Sequence, residues 1–328
     1  MKQTVLRQAS CRFLLSAMVL SLLWLSPLRV QSAPPPRVAH SHEPIDVPSR
    51  PIVSRMKLPL VHPRRLLVDS SGNLLIADWG AGAVLSIDSH GGHTVLASGL
   101  DEPAGLACDA EGNVYISTHS QGVPEAGSII RVTPAGEQSL YAAGLTGPTA
   151  LAFDARGILH VANFHDDSVS RISADGEPTE FAVEIPQPSA LVFDEAGMLY
   201  VASSTMGTVY SVSPHGDARV IAMGFSVPSD LSLDPDGHLI IANYNAGELT
   251  YLQGNGRGRR FATVPKGTIG LVFDRDGNLL LANWDEPFVI KVTSKLTVPC
   301  PHCEKQIPVR LRGRPDAVDE TIPDERLY

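Results

Sequence analysis

The sequence predicts an all-β fold: a six-bladed β-propeller of four-stranded antiparallel blades, its ring closed by an N-terminal strand that completes the last blade. Three observations carry this. An Asp-x-x-Gly marker recurs at a period near 40, short apolar runs on either side repeat with it, and 28 Gly and 26 Pro among 328 residues leave little room for long helices.

The elements follow in chain order. Lys2, Arg7 and Arg12 precede a leucine-rich run over 13–28, and small residues then lead to Ala33, the pattern of a cleavable export signal over residues 1–32. The run falls short of the roughly 20 residues that cross a bilayer and contains Pro27. Residues 33–50 read as a Pro-rich linker, 51–294 as the propeller and 295–328 as a C-terminal tail. The expected location is secreted or periplasmic, with no transmembrane segment after the signal. Removing the signal takes away Lys2, Arg7, Arg12 and Arg29 and no acid, moving the formal net charge from -9 to -13. Such a chain is a poor nucleic-acid partner. A monomer is expected.

The marker occurs at Asp69, Asp109, Asp154, Asp194, Asp234 and Asp274, each followed three residues later by Gly. The spacings are 40, 45, 40, 40 and 40, and the long one holds an insertion over 120–125. Runs such as Leu151-Ala152-Phe153 precede the turn, and runs such as Leu239-Ile240-Ile241, apolar on both faces, follow it. Strands buried on both sides have this composition. The aspartates are read as turn residues bonding to backbone N–H groups. The sixth unit lacks a fourth strand after Phe288–Val292, so residues 53–60 are expected to supply it and remove an open edge.

Units reading Pro-x-x-Leu-x-Phe-Asp-x-x-Gly-x-Leu-x-Val-Ala-Asn resemble NHL-repeat six-bladed propellers and, more loosely, the senescence marker protein and gluconolactonase superfamily. The resemblance spans residues 62–294 and implies the fold; one such fold hosts many chemistries. The repeating segment of the streptogramin lyases is absent, with Asp234-Pro235-Asp236-Gly237 its nearest local echo. For metal-dependent lactonases the resemblance implies a divalent ion at the channel mouth, held by a glutamate of the first repeat with later Asn and Asp residues. Here the residues two places after each unit's opening are Arg65, Gly105, Ala150, Ala190, Asp230 and Gly270. One acid remains, facing an arginine. The pair is read either as an ion pair or as a grip on a ligand.

The loop face carries the candidate binding residues. Second strands end in Asp78-Trp79, Thr118-His119, Asn163-Phe164, Ser203-Ser204, Asn243-Tyr244 and Asn283-Trp284. The polar member can bond to loop backbone; the aromatics can plug gaps or form flat faces for a sugar, aromatic or peptide ligand. Trp79 and Trp284 are expected to be exposed anchors. Glu102, His165 with Asp166 and Asp167, and Asp285 with Glu286 add negative charge there, read as a solvated rim before a calcium site. A small molecule, glycan or protein is the expected partner. The rival reading is a lactonase-like hydrolase or a lyase working at the mouth. No nucleophile motif appears. No cofactor is assigned beyond a divalent cation, calcium or zinc.

Cys108 stands where other units have Phe153, Phe193 and Phe273, and is expected to be buried and unreactive. His160 is expected to be a hydrogen-bonded core residue. Cys300-Pro301-His302-Cys303 reads as a disulfide, or as half a zinc site between Cys300, His302 and Cys303 needing ligands from elsewhere. The tail from Glu304 onward, first basic and then acidic without apolar periodicity, is expected to be mobile.

Overall fold

The computed structural model describes residues 52–119, 123, 125–253, 256–293, 297–299 and 306–308. Six four-stranded antiparallel sheets follow one another along the chain. Their inner strands are Pro63–Val68, Pro103–Cys108, Pro148–Phe153, Pro188–Phe193, Pro228–Leu233 and Thr268–Phe273. Each touches the next, and the first touches the sixth, so the blades form a closed ring. We number the blades 1 to 6 in that order.

Second strands are buried along their length, as their two-sided apolar pattern requires; Leu74–Asp78, Val114–Thr118 and Leu279–Asn283 are examples. Blade faces meet in pairs to make the core. Leu66, Leu74, Ile76 and Leu85 of blade 1 pack on Leu280, Ala282 and Val289 of blade 6, and every other pair of adjacent blades has its own such cluster. Each large aliphatic buried there contributes about 1.5–3 kcal/mol.

The ring closes as expected. Ile52–Met56 pairs antiparallel with Val289–Thr293 of blade 6, from Ile52 opposite Thr293 to Met56 opposite Val289. Met56 and Leu58 pack against the cluster between blades 6 and 1. The Asp-x-x-Gly turns are also as expected. Asp69 Oδ1 accepts from the N–H groups of Ser71 and Asn73 at 2.8 Å each, and Asp274 Oδ1 treats Asp276 and Asn278 alike. The six turn glycines have φ between 76° and 89°, the left-handed region open to glycine.

One expectation changes. Cys108 ends its strand and is half-buried, as are Phe153, Phe193 and Phe273 at the equivalent position, because the strand emerges there from between the blades. Its thiol is still pushed up in pKa by burial and by Asp109. In the tail, Thr297–Pro299 pairs antiparallel with Gln306–Pro308 in a short ribbon. Cys300, His302 and Cys303, like the export signal and the linker, lie outside the described residues. No helix among the described residues is long and apolar enough to cross a membrane.

Candidate functional site

The loop face is built from second-strand ends and the links between blades. At each blade's entry a register shift follows the opening residue, as between Pro63 and Arg65 or Pro148 and Ala150. The shifted residue is thereby turned from the sheet face toward its neighbours. It is Arg64 in blade 1, Thr149, Ser189 and Ser229 in blades 3 to 5, and Ile269 in blade 6.

The polar members of the strand-end pairs hold the loops. Asp78, fully buried, accepts from Val61 N–H at 2.7 Å, His62 N–H at 2.8 Å and Ala81 N–H at 3.2 Å. Asn163 donates to the Ser168 and Ser170 hydroxyls at 3.1 and 2.8 Å. Asn243 donates to Glu248 O and to Thr250 Oγ1. Asn283 donates to Lys266 O and accepts from the N–H groups of Asp285 and Glu286. These four side chains are turned inward; Asp78 and Asn283 use their oxygens on loop backbone, whereas Asn163 Oδ1 and Asn243 Oδ1 are buried without a hydrogen-bond partner among the described residues.

The rings, in contrast, come together. His62 stacks on Trp284 with centroids 5.1 Å apart, and its Nδ1 lies 3.1 Å from Trp284 O. Trp284 meets Trp79 edge-on at 5.8 Å, Trp79 meets His119 at 5.2 Å, His119 meets His165 at 5.3 Å and His165 meets Phe164 at 5.1 Å. The belt crosses blades 6, 1, 2 and 3. Trp79 and Trp284 are half-buried rather than exposed, because each covers part of the other. Gly147, at φ 65°, passes beneath the two histidines; a Cβ there would lie 2.6 Å from His165 and 3.3 Å from His119. Tyr244 stands apart from the belt. Burial, with the Asp285 carboxylate nearby, pushes its pKa up. Asp285 and Glu286 are exposed, as are Asp166 and Asp167, so these acids form a rim.

Charge inside the mouth is unevenly satisfied. Arg65 bonds to Asp230 and, at 3.0 Å, to Ser189 O, tying blade 1 to blades 5 and 4 across the channel. Asp230 also accepts from Leu231 and Leu271 N–H at 2.9 and 2.8 Å. Arg64 instead lies over the Trp79 ring, its guanidinium carbon 4.5 Å from the centroid. Burial lowers the Arg64 pKa to about 10 against the opposing pull of Glu102, and that of Arg65 to about 9 with the help of Arg64. Both remain cations at neutral pH. The His119 pKa is held at about 4 by burial, then by Arg64 and His165, so its ring is neutral. His119 Nδ1 makes no hydrogen bond and sits 3.9 Å from Glu102 Oε2.

Of the residues singled out from sequence, Trp79, Glu102, His119, Phe164, His165 and Trp284 gather in one place. Arg65 and Asp230 neutralise each other; Asp78, Asn163, Asn243 and Asn283 support loops; Tyr244 and Asp285 pair off to the side. His62 and Arg64 were missed. For Arg64 a signal existed, since the equivalent position holds Thr or Ser in blades 3 to 5. For a divalent ion, the only described trio of His, Cys, Asp or Glu with ligand atoms within 4.8 Å of one another is Asp234, Asp236 and His238, in a turn on the opposite face. Among the described residues no second trio of this kind lies at the mouth.

No family model and no curated protein matches the chain. Solved structures do. A gluconolactonase from Xanthomonas campestris superposes with a TM-score of 0.63 at 18% identity, covering 74% of this chain and 90% of that one. Virginiamycin B lyase from Staphylococcus aureus gives 0.59 at 15% identity, covering 74% and 99%. At such identities the likeness is one of fold.

Proposed function

We propose that this chain is an exported propeller that binds a ring-bearing small molecule, a glycan or a flat protein side chain through its loop face. The observation that carries the reading is the ring belt His62–Trp284–Trp79–His119–His165–Phe164, gathered from four blades beside an uncovered cation. Half-buried aromatic faces with a few polar groups are the usual lining of a binding cleft. Asp78 and Asn283 are committed to loop backbone and Asp230 to Arg65, and the rings of the belt offer the broadest apolar face at the mouth. Export is supported by the charge and apolar pattern of residues 1–32 and is tested by sequencing the N-terminus of the secreted chain, with Ala33 expected first.

The binding reading is tested by ligand-observed NMR against sugars, aromatic acids and amides, and short peptides. Trp79→Ala and Trp284→Ala are expected to weaken any hit at least tenfold while the thermal melt stays cooperative. A hit indifferent to both substitutions rejects the loop face. A second reading, hydrolase or lyase, is favoured by one observation: neutral His119, its Nδ1 unpartnered, stands beside Glu102 as a proton acceptor would. The gluconolactonase and lyase folds among the neighbours agree with it. Turnover of gluconolactone or of virginiamycin B, lost in His119→Gln, would put that reading first.

A further inference from the structure

At the residue after each opening position, the repeat has a structural solution that it uses three times. Thr149 donates to Pro188 O at 2.8 Å, Ser189 to Pro228 O at 2.7 Å and Ser229 to Thr268 O at 3.0 Å, each hydroxyl fastening its blade to the next. Blade 1 has Arg64 at this place, and among the described residues no side-chain hydroxyl reaches Pro103 O. The departure gives up a tie and leaves a half-buried guanidinium at the mouth. Among the described residues no carboxylate lies within 4.0 Å of it; Glu102 acts on it only through its field while facing His119. Arg65, one residue on, has its carboxylate in Asp230 and a carbonyl in Ser189. Of two adjacent arginines in one strand, Arg65 therefore has its acceptors, and Arg64 has a ring face but no hydrogen-bond acceptor among the described residues.

We propose that Arg64 is the anchor for the carboxylate of a ring-bearing ligand whose ring lies against the Trp79–Trp284 belt, an inference that rests on the loop-face binding proposed above. A guanidinium offers five N–H donors in a fixed fork, which matches the two oxygens of a carboxylate. Contact with Trp79 holds the fork in place and keeps one of its faces from water. Neutral His119 adds no competing cation. The nearby Glu102 and the acidic rim repel a dianion more than a monoanion, which selects carboxylate over phosphate.

The three tryptophans of the chain are Trp24, Trp79 and Trp284. In the full chain carrying Trp24→Phe, fluorescence therefore reports the belt alone. Titrations with two matched pairs, benzoate against benzamide and glucuronate against glucose, measure what a carboxylate adds. For at least one pair the acid is expected to bind at least tenfold tighter than its neutral partner. Arg64→Gln is expected to abolish the difference and Arg64→Lys to keep part of it, with thermal melts confirming that both fold. Equal binding of acid and neutral partner overturns the assignment of Arg64 and leaves the loop-face reading standing, provided Trp79→Ala still weakens both. Tighter binding of phenyl phosphate than of benzoate overturns the choice of carboxylate. No response to either pair overturns this proposal and counts against the belt as a binding site.

Discussion

The four interfaces from blade 2 to blade 6 and the two flanking blade 1 join the same kind of sheet by different means. From blade 2 onward a hydroxyl spans each gap at the mouth: Ser117 to Pro148 O at 2.9 Å, then Thr149, Ser189 and Ser229 to the blade that follows. Among the described residues no side-chain hydroxyl reaches Pro63 O or Pro103 O. There the chain relies on the closing strand, on Trp79 against Trp284, and on Arg65 reaching across the channel. Gly270 belongs to this region as well: a Cβ there would stand 2.6 Å from Arg64 O, so blade 6 approaches blade 1 closely only without a side chain. The difference teaches where the repeat is spent on structure and where it is released for recognition. Regular ties run from blade 2 to blade 6; the aromatic belt with Arg64 covers the two interfaces that lack them and extends over the tie between blades 2 and 3.

Removal of residues 51–61 should break the contrast most severely. It strips blade 6 of its outer strand, uncovers the cluster around Val289 and opens an edge. Insoluble or oligomeric protein is expected by size-exclusion chromatography, and a soluble monomer that melts cooperatively would show that the irregular side does not depend on closure.

Next in size is Asp230→Ala. It leaves Arg65 buried without its carboxylate and two backbone N–H groups without an acceptor, at a cost of about 3–5 kcal/mol by denaturant titration. Arg65→Met combined with Asp230→Asn should recover part of that loss, because no charge then remains unpaired. If the double variant is worse than either single one, the pair has a role beyond mutual neutralisation.

A pH titration of stability compares the two sides through one histidine each. His160, packed between Phe181 and Phe193 and 1% exposed, and His119 in the mouth both have their pKa lowered to about 4 by burial. The unfolded chain takes up protons near the ordinary value of about 6.5. Between those limits it holds more protons than the folded chain, so stability falls as pH drops from 6.5 toward 4 and is whole above 6.5. His160→Phe and His119→Gln should each flatten this slope in denaturant midpoints taken across pH 4–7. A ligand carboxylate beside His119 would raise its pKa and shift the slope for that residue alone.

The smallest expected effect concerns the regular side. Ser189→Ala and Ser229→Ala each leave a carbonyl without its hydroxyl donor, costing about 1 kcal/mol, and the two should add because they serve separate interfaces. A much larger loss would mean that the hydroxyl ties, and not the apolar clusters, hold those blades together.

What could be read from the chain alone follows from locality. The Asp-x-x-Gly turns close within four residues, and the two-sided burial of second strands shows directly as unbroken apolar runs; even the closing strand was visible as a missing fourth strand. Arg65 and Asp230 could be paired because both sit two places after a unit's opening, where six-fold repetition points them at one channel. The loop-face polar residues were not decidable in this way. Asp78 looks like a ligand carboxylate until Val61 and His62, 17 and 16 residues away, are seen to occupy it. Arg64 was passed over because a guanidinium after proline is unremarkable until its counterparts are found tying blades together.

The sequence by itself determined the number of blades, their strand order, the turn chemistry and the strand that closes the ring, because periodic burial and turn residues act over distances the chain records directly. The tertiary structure alone decided which side chains of the mouth are consumed and which remain available. Satisfaction of a buried polar group depends on partners brought from other blades, and no local pattern encodes whether such a partner arrives.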